Sequence, residues 1–251
     1  MTRKPLRHIL LSAAVLPLAA VLAACGGGAE EAAAPPSGDP IAAIPAPEGT
    51  EWVDTATISP EDGYVLGNPD APLKMVEFVS HTCPACANYA RESAAGIEDY
   101  VASGVVSVEI RNQVHDPLDL TIAMLVRCGA PESFHPLAKQ AWANLNEIVQ
   151  NAQANGEALN AAMQAPPAQR YMAIAETAGL VDFFAARGIS RDQAAQCLAD
   201  GAKAEQIANN SQTQSAELNV TGTPTFFLNG ARLDGANWAS VDAALQQAGA
   251  R

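Results

Sequence analysis

The chain has 251 residues, 49% of them hydrophobic and 16% charged, which is enough for a folded unit with its own core and too mixed for a fibre or a disordered tail. Its formal charge is −13, from 14 basic and 27 acidic side chains, and three of the basic ones (Arg3, Lys4, Arg7) stand at the very start. Such an acidic body repels phosphate backbones and anionic lipid headgroups, so nucleic-acid binding and electrostatic membrane docking are both disfavoured.

The three cations precede an apolar run over 9–24 that is short for a bilayer span and is interrupted by Pro17. Residues 1–24 therefore read as an export signal. The run ends in Leu22-Ala23-Ala24-Cys25-Gly26, which resembles the lipobox of bacterial lipoproteins. That resemblance implies cleavage before Cys25, a diacylglyceryl group on its sulfur and acylation of the new amino terminus. Several acyl chains hold a protein stably on a membrane where one does not. After Cys25, Gly, Ala, Pro and Glu dominate with no apolar period, so 25–62 is expected to be a disordered tether with a reach of roughly 35 Å as a coil.

The folded part is expected over 63–251. The turn-forming Gly67-Asn68-Pro69-Asp70-Ala71-Pro72 leads into a dense apolar run over 73–79 containing Val76, Phe78 and Val79, which reads as a buried strand. Cys83 then stands where a helix begins, with Pro84 at the first helical position, where its missing N–H is not needed. A second strand is expected over 105–110. From 118 to about 218 the composition turns to Ala, Gln, Leu and Asn at helical spacing, so this block is expected to be all helix, with helices near 118–128, 134–150, 169–186, 190–199 and 203–218. Strand signals return over 223–228, followed by the turn pair Asn229-Gly230, a short partner strand over 231–233 and a closing helix near 238–247.

Five cysteines are an odd number for an exported chain. Assigning Cys25 to lipid leaves Cys83 and Cys86 close together and Cys128 and Cys197 far apart. Four cysteines allow three connectivities, and a local Cys83–Cys86 pair leaves Cys128–Cys197 as its complement. An oxidising compartment permits both to be disulfides, the second stapling the helical block; the alternative for Cys128 and Cys197 is burial as small apolar side chains.

Cys-x-x-Cys alone fits a redox pair, half a zinc site or a structural bridge. No second such pair and no His-x₃₋₅-His set accompanies it, which disfavours metal. A bridge across so short a loop constrains the unfolded chain little and so stabilises little. A helix N-terminus does favour negative charge on the first sulfur, making Cys83 the attacking thiolate and Cys86 the resolving thiol of an exchange reaction.

These landmarks, in the order Gly67 to Pro72, Val76-Glu77-Phe78, Cys83-Pro84-Ala85-Cys86, a helical block and Thr221-Gly222-Thr223-Pro224-Thr225-Phe226-Phe227, together resemble the DsbA-like group of bacterial thiol–disulfide oxidoreductases in the thioredoxin superfamily. The resemblance implies an α/β thioredoxin-like fold with an all-helical insertion, a periplasmic enzyme without a cofactor, and unfolded or reduced exported proteins as substrates. It also implies a membrane redox partner that recycles the cysteine pair. Pro224 is then a cis-proline beside the pair, with the Thr223 main chain pairing an extended substrate segment. Glu77 becomes a buried carboxylate that exchanges a proton with Cys86 rather than a solvent-facing one. The chain departs from the group at Ala85, where strong oxidants often have histidine; His81 either compensates in part or, the more economical reading, faces solvent in a loop. Trp142, Trp238 and the Phe183-Phe184 pair read as core or groove lining.

Oxidation of newly exported proteins is the leading expectation, with reduction or isomerisation second. The rival from another class is a thiol metal chaperone, which the scarcity of methionine disfavours. The anchor has a direct check. Intact mass of the membrane-extracted protein should show an acylated Cys25 as the first residue, and an unmodified product beginning elsewhere would refute it.

Overall fold

A computed structural model describes residues 34–251; the export signal, Cys25 and the first part of the expected tether lie outside the described residues. One six-stranded sheet organises the domain, made of β1 (Ala56–Ile58), β2 (Tyr64–Leu66), β3 (Leu73–Val79), β4 (Val106–Asn112), β5 (Thr225–Leu228) and β6 (Ala231–Arg232). Its order is β1-β2-β4-β3-β5-β6, parallel between β3 and β4 and antiparallel elsewhere. The parallel pair follows from the crossover that α1 (Pro84–Ala102) makes between β3 and β4. β3 therefore lies inside the sheet, and its register sets Glu77 between Ile110 of β4 and Phe226 of β5.

Side chains alternate along β3, and the face bearing Met75 is buried against α1 and against α10 (Trp238–Gln247). Ile97 and Val101 of α1 and Val241 and Leu245 of α10 fill this layer with Val108, Phe226 and Leu228 of the sheet. Their burial is the main hydrophobic contribution that fixes α1, and hence its N-terminus, on the sheet.

Between β4 and β5 the described chain is helical: α2 (Pro117–Val126), α3 (Phe134–Ala143), α4 (Leu145–Ala154), α5 (Gly156–Met163), α6 (Pro167–Thr177), α7 (Leu180–Ala185), α8 (Arg191–Ala199) and α9 (Gly201–Glu217). Every residue of α2 from Leu118 to Val126 is buried, the pattern of a helix surrounded on all sides. A disulfide joins Cys128, just past α2, to Cys197 in α8, with Cα atoms 5.9 Å apart. Trp142 and Phe184 are buried in this block as expected of core aromatics. Two expected helices are each divided. The one over 134–150 is α3 and α4, separated at Asn144, and the one over 169–186 is α6 and α7, separated at Gly179, whose φ of +73° ends a right-handed helix. α5 was not expected. Among the described residues no helix is long and apolar enough to cross a membrane.

The largest correction concerns the tether. Its described part is bound to the domain, not free. The N–H groups of Gly38 and Ile41 donate to the carbonyls of Gln247 and Gly249 (3.0 and 2.9 Å), and the N–H of Ile44 donates to that of Ser103 (2.8 Å). These carbonyls belong to the C-terminal ends of α10 and α1, which have no partners within their helices. Trp52 packs on the core and donates its indole N–H to Ile44 O (2.7 Å), and β1 then joins the sheet through β2. Composition missed this because the segment caps helices and adds a three-residue strand, neither of which needs a sustained apolar period.

Gly104, just after α1, has φ +71°, and a Cβ there would collide with Ile44 O and the Trp52 ring. Gly104→Ala should lower the unfolding free energy by about 1–2 kcal/mol from the left-handed backbone alone, and more through loosening of the strap. Chemical denaturation measures this, and an unchanged midpoint would contradict the packing described.

Candidate active site

Cys83 is the N-cap of α1, with extended backbone (φ −84°, ψ 118°), and Pro84 occupies the first helical position. The carbonyl of Cys83 accepts the first helical bond from Ala87 N–H (3.1 Å), so the N–H groups of Ala85 and Cys86 are left pointing at its sulfur. Both cysteines are free thiols; Cys86 is 1% exposed while Cys83 keeps 9%. The pair divides its protons unequally. A hydrogen bond from the Cys86 thiol, with further bonds from Thr223 and the helix amides, pulls Cys83 down to about 5 against the opposing effect of burial. The same bond to Cys83, reinforced by burial, pushes Cys86 up.

The Thr223–Pro224 peptide bond is cis, and the Cys83 thiol lies 3.4 Å from Thr223 O. Thr223 Oγ1 is in turn 3.5 Å from Nε2 of His115, which follows β4. Thr221 and Gly222 beside it are exposed. The cysteine pair, the cis-proline loop and the β4–α2 loop thus converge at the C-terminal ends of the parallel strands, the edge of an open α/β sheet where ligands bind.

Glu77 lies beneath α1 on the buried face of β3, 5% exposed. Burial pushes its carboxyl up to about 8, outweighing Tyr89 and Lys139, which pull it down. The Tyr89 hydroxyl approaches it but stops short of a standard hydrogen bond. Glu77, Tyr89, His135, Lys139 and Trp142 line a cavity of about 30 Å³, enough for water, and Lys139 at its rim is exposed.

His81 corrects the expectation of a solvent-facing loop histidine. It is fully buried and stacks on Trp142, ring centroids 5.1 Å apart, with neither ring nitrogen hydrogen-bonded. Burial, with Arg127 acting in the same direction, drives it down to about 3. It is therefore neutral at pH 7 and gives no cationic support to the Cys83 thiolate. The partner that buries it, Trp142, also donates its indole N–H to Ser80 O (3.0 Å), so the helical insertion packs directly on the loop that precedes the pair.

Sequence reading missed four residues that shape the site. His115 touches Thr223, as above. Thr82 donates to Asp116 Oδ2 (3.3 Å), and Asp119 of α2 is buried with an oxygen on the His81 N–H (2.7 Å). The available signal was the Asp116-Pro117-x-Asp119 start of α2, a helix-entry pattern that gives no sign of its distant partners. Among the described residues no group of three or more His, Cys, Asp or Glu is placed to hold a metal ion.

The buried groups fix a pH dependence. In the oxidised protein the thiols do not titrate. His81 and His135, at about 3 and about 4, are neutral in the folded protein, and only above about pH 7.5 has the unfolded chain also lost those protons, so that they cease to affect stability. Glu77, raised from 4.5 to about 8, holds its proton in the folded state after the unfolded chain has lost it, so stability falls as pH rises towards 8. Denaturation of the oxidised protein between about pH 7.5 and about pH 8.5 should show this decline, and Glu77→Gln should flatten it. A decline of equal slope in the variant would assign it to another group.

A thioredoxin family profile matches residues 59–247. A crystal structure of a protein-disulfide isomerase from Novosphingobium aromaticivorans is 35% identical and superposes with a TM-score of 0.68, over 72% of this chain and 94% of that one. A crystal structure of Wolbachia pipientis alpha-DsbA1 shares the fold at 20% identity, with a TM-score of 0.60 over 76% of this chain and 94% of that one. Among curated proteins, a Rickettsia bellii protein provisionally named a protein-disulfide oxidoreductase is 24% identical over 189 residues, 75% of this chain and 65% of that protein. The chain spans between 60% and 65% of the length of the curated relatives it matches. The profile covers most of the chain, and the sheet interrupted by eight helices between its fourth and fifth strands superposes on those structures: the chain belongs to the thioredoxin family and carries the helical insertion of the DsbA-like fold.

Proposed function

We propose that the protein is a thiol–disulfide oxidoreductase of the periplasm, anchored by lipid on Cys25, which oxidises exported proteins through Cys83 and Cys86. The observation that carries the reading is the opposite displacement of two neighbouring sulfurs, Cys83 down to about 5 and Cys86 upward. Stabilising the Cys83 thiolate stabilises the reduced pair, and a pair whose reduced form is favoured is an oxidant.

In the oxidising direction a client thiolate attacks Sγ of Cys83 in the Cys83–Cys86 disulfide. That S–S bond breaks, a mixed disulfide forms, and Cys86 leaves as a thiolate that takes up a proton. Glu77, protonated over most of the neutral range, supplies it. A second client thiolate then attacks the client sulfur of the mixed disulfide and expels Cys83 as the thiolate held by the helix amides. The client loses two electrons and two protons, and the pair gains the electrons until a membrane redox partner of opposite poise removes them. The Thr223 main chain holds the client as an added strand while its sulfur reacts. The Cys128–Cys197 disulfide restrains α2 against α8 and takes no part in the exchange.

Cys83→Ser should abolish oxidation of a reduced, unfolded protein, whereas Cys86→Ser should accumulate mixed disulfides. Equal residual activity in the two would overturn the role assignment. The potential of the pair decides direction: a value near about −120 mV supports an oxidase, and one near about −270 mV makes the protein a reductase.

A further inference from the structure

α2 opens with two acids that behave differently. Asp116 is the N-cap, and its Oδ1 accepts from the N–H of Asp119 at 2.9 Å, an ordinary helix start. Asp119, at the third helical position, would in an ordinary capping box turn back to the N–H of the N-cap residue. It does not. Its Oδ2 accepts from the N–H of His115 at 2.9 Å, and its Oδ1 leaves the helix to accept from the N–H of His81 at 2.7 Å.

The carboxyl is fully buried, and among the described residues no cation lies within ion-pair distance of it. Burial pushes it up to about 6, with Asp116 acting in the same direction and the Ser80 hydroxyl and the two main-chain N–H groups opposing. A buried acid without a counter-ion is a poor device for stability, since an apolar side chain would fill the space at lower cost. What it does accomplish is to tie together two loops of the site. His81 precedes Cys83 by two residues, and His115 reaches Thr223, whose carbonyl is 3.4 Å from the Cys83 sulfur. The chain of contacts from Asp119 through His115, Thr223 and Cys83 back to His81 is a closed ring.

We propose that Asp119 is a positioning residue for exchange with polypeptides: one carboxylate sets the spacing between the loop that ends in Cys83 and the loop that presents Thr223. The role rests on the exchange reaction at Cys83 proposed above. A small disulfide needs only the sulfur at the helix end. A polypeptide must engage the sulfur and the Thr223 main chain together, and so depends on their separation.

Asp119→Asn preserves size, but its amide accepts from only one of the two N–H groups and turns a donor towards the other. Oxidation of a cysteine-containing peptide should then slow about tenfold, the effect of losing one charge-assisted hydrogen bond, while reaction with glutathione disulfide stays within about twofold. Rates that fall by the same factor for both substrates, or for neither, would overturn the proposal. Should the variant fail to fold, the wild-type protein supplies the second readout by nuclear magnetic resonance. The His81 and His115 amide signals should move together with a single midpoint near 6 as Asp119 takes its proton. That midpoint should persist in Asp116→Asn and His115→Gln, which remove the other ionisable side chains beside the carboxyl, His81 being neutral in this range. Stationary amides, or separate midpoints, would refute the clamp. A wild-type protein inert towards both substrates would refute the exchange reaction instead, leaving the amide titration to judge the clamp alone.

Discussion

The N-terminus of α1 is the constraint on which the site depends, because it holds the Cys86 thiol, together with the unpaired N–H groups of Ala85 and Cys86, against one sulfur and so sets its acidity. A thiolate at Cys83 is stable only if those donors are held on it firmly enough to outweigh its desolvation, and that firmness comes from packing elsewhere. α1 is fixed by the apolar layer it shares with β3, β5 and α10. The loop before it is fixed from above by Trp142, which hydrogen-bonds Ser80 and stacks on His81. The helical insertion thus packs directly on the chain immediately before the cysteine pair.

Around the sulfur, burial shifts the charge state of nearly every neighbour towards neutrality. His81 and His135 are driven down, and Glu77 and Asp119 up. The exception is Cys83 itself, whose hydrogen bonds outweigh its desolvation. With Glu77 and both histidines neutral at pH 7, the charge on Cys83 meets little repulsion from Glu77 and draws no support from a buried cation, while Asp119 keeps its own charge on the N–H groups of His81 and His115. The absence of a histidine inside the pair, at Ala85, is compensated in this way by geometry and not by a cation at His81.

How much of this was legible in the sequence depended on the distance over which each signal acts. The strand, turn and helix start around Cys83 are encoded within a few residues, and Pro84 alone places the helix boundary. The hairpin at Asn229-Gly230 is equally local, with Asn229 and Gly230 both at positive φ. His81 was misread because the ring that buries it lies sixty-one positions further along, in α3. Asp119 was invisible for the same reason: an acid in the first turn of a helix looks like a cap until its tertiary partners are known. The strap over 38–54 failed differently. Its Pro- and Gly-rich composition is what a segment looks like when it is held by bonds to helix ends and a few local turns without a regular element of its own, and composition does not distinguish that from a coil in water.

The strap also determines how mechanical load enters the molecule. It grips the C-terminal ends of α1 and α10, whereas the reactive sulfur sits at the opposite end of α1, about 28 Å away for a helix of 19 residues. A pull on the chain ahead of Gly38 is resisted first by the bonds to Gln247 and Gly249, then by the bond from Ile44 to Ser103, and then by the pairing of β1 with β2, none of which lies at the Cys83 end of α1.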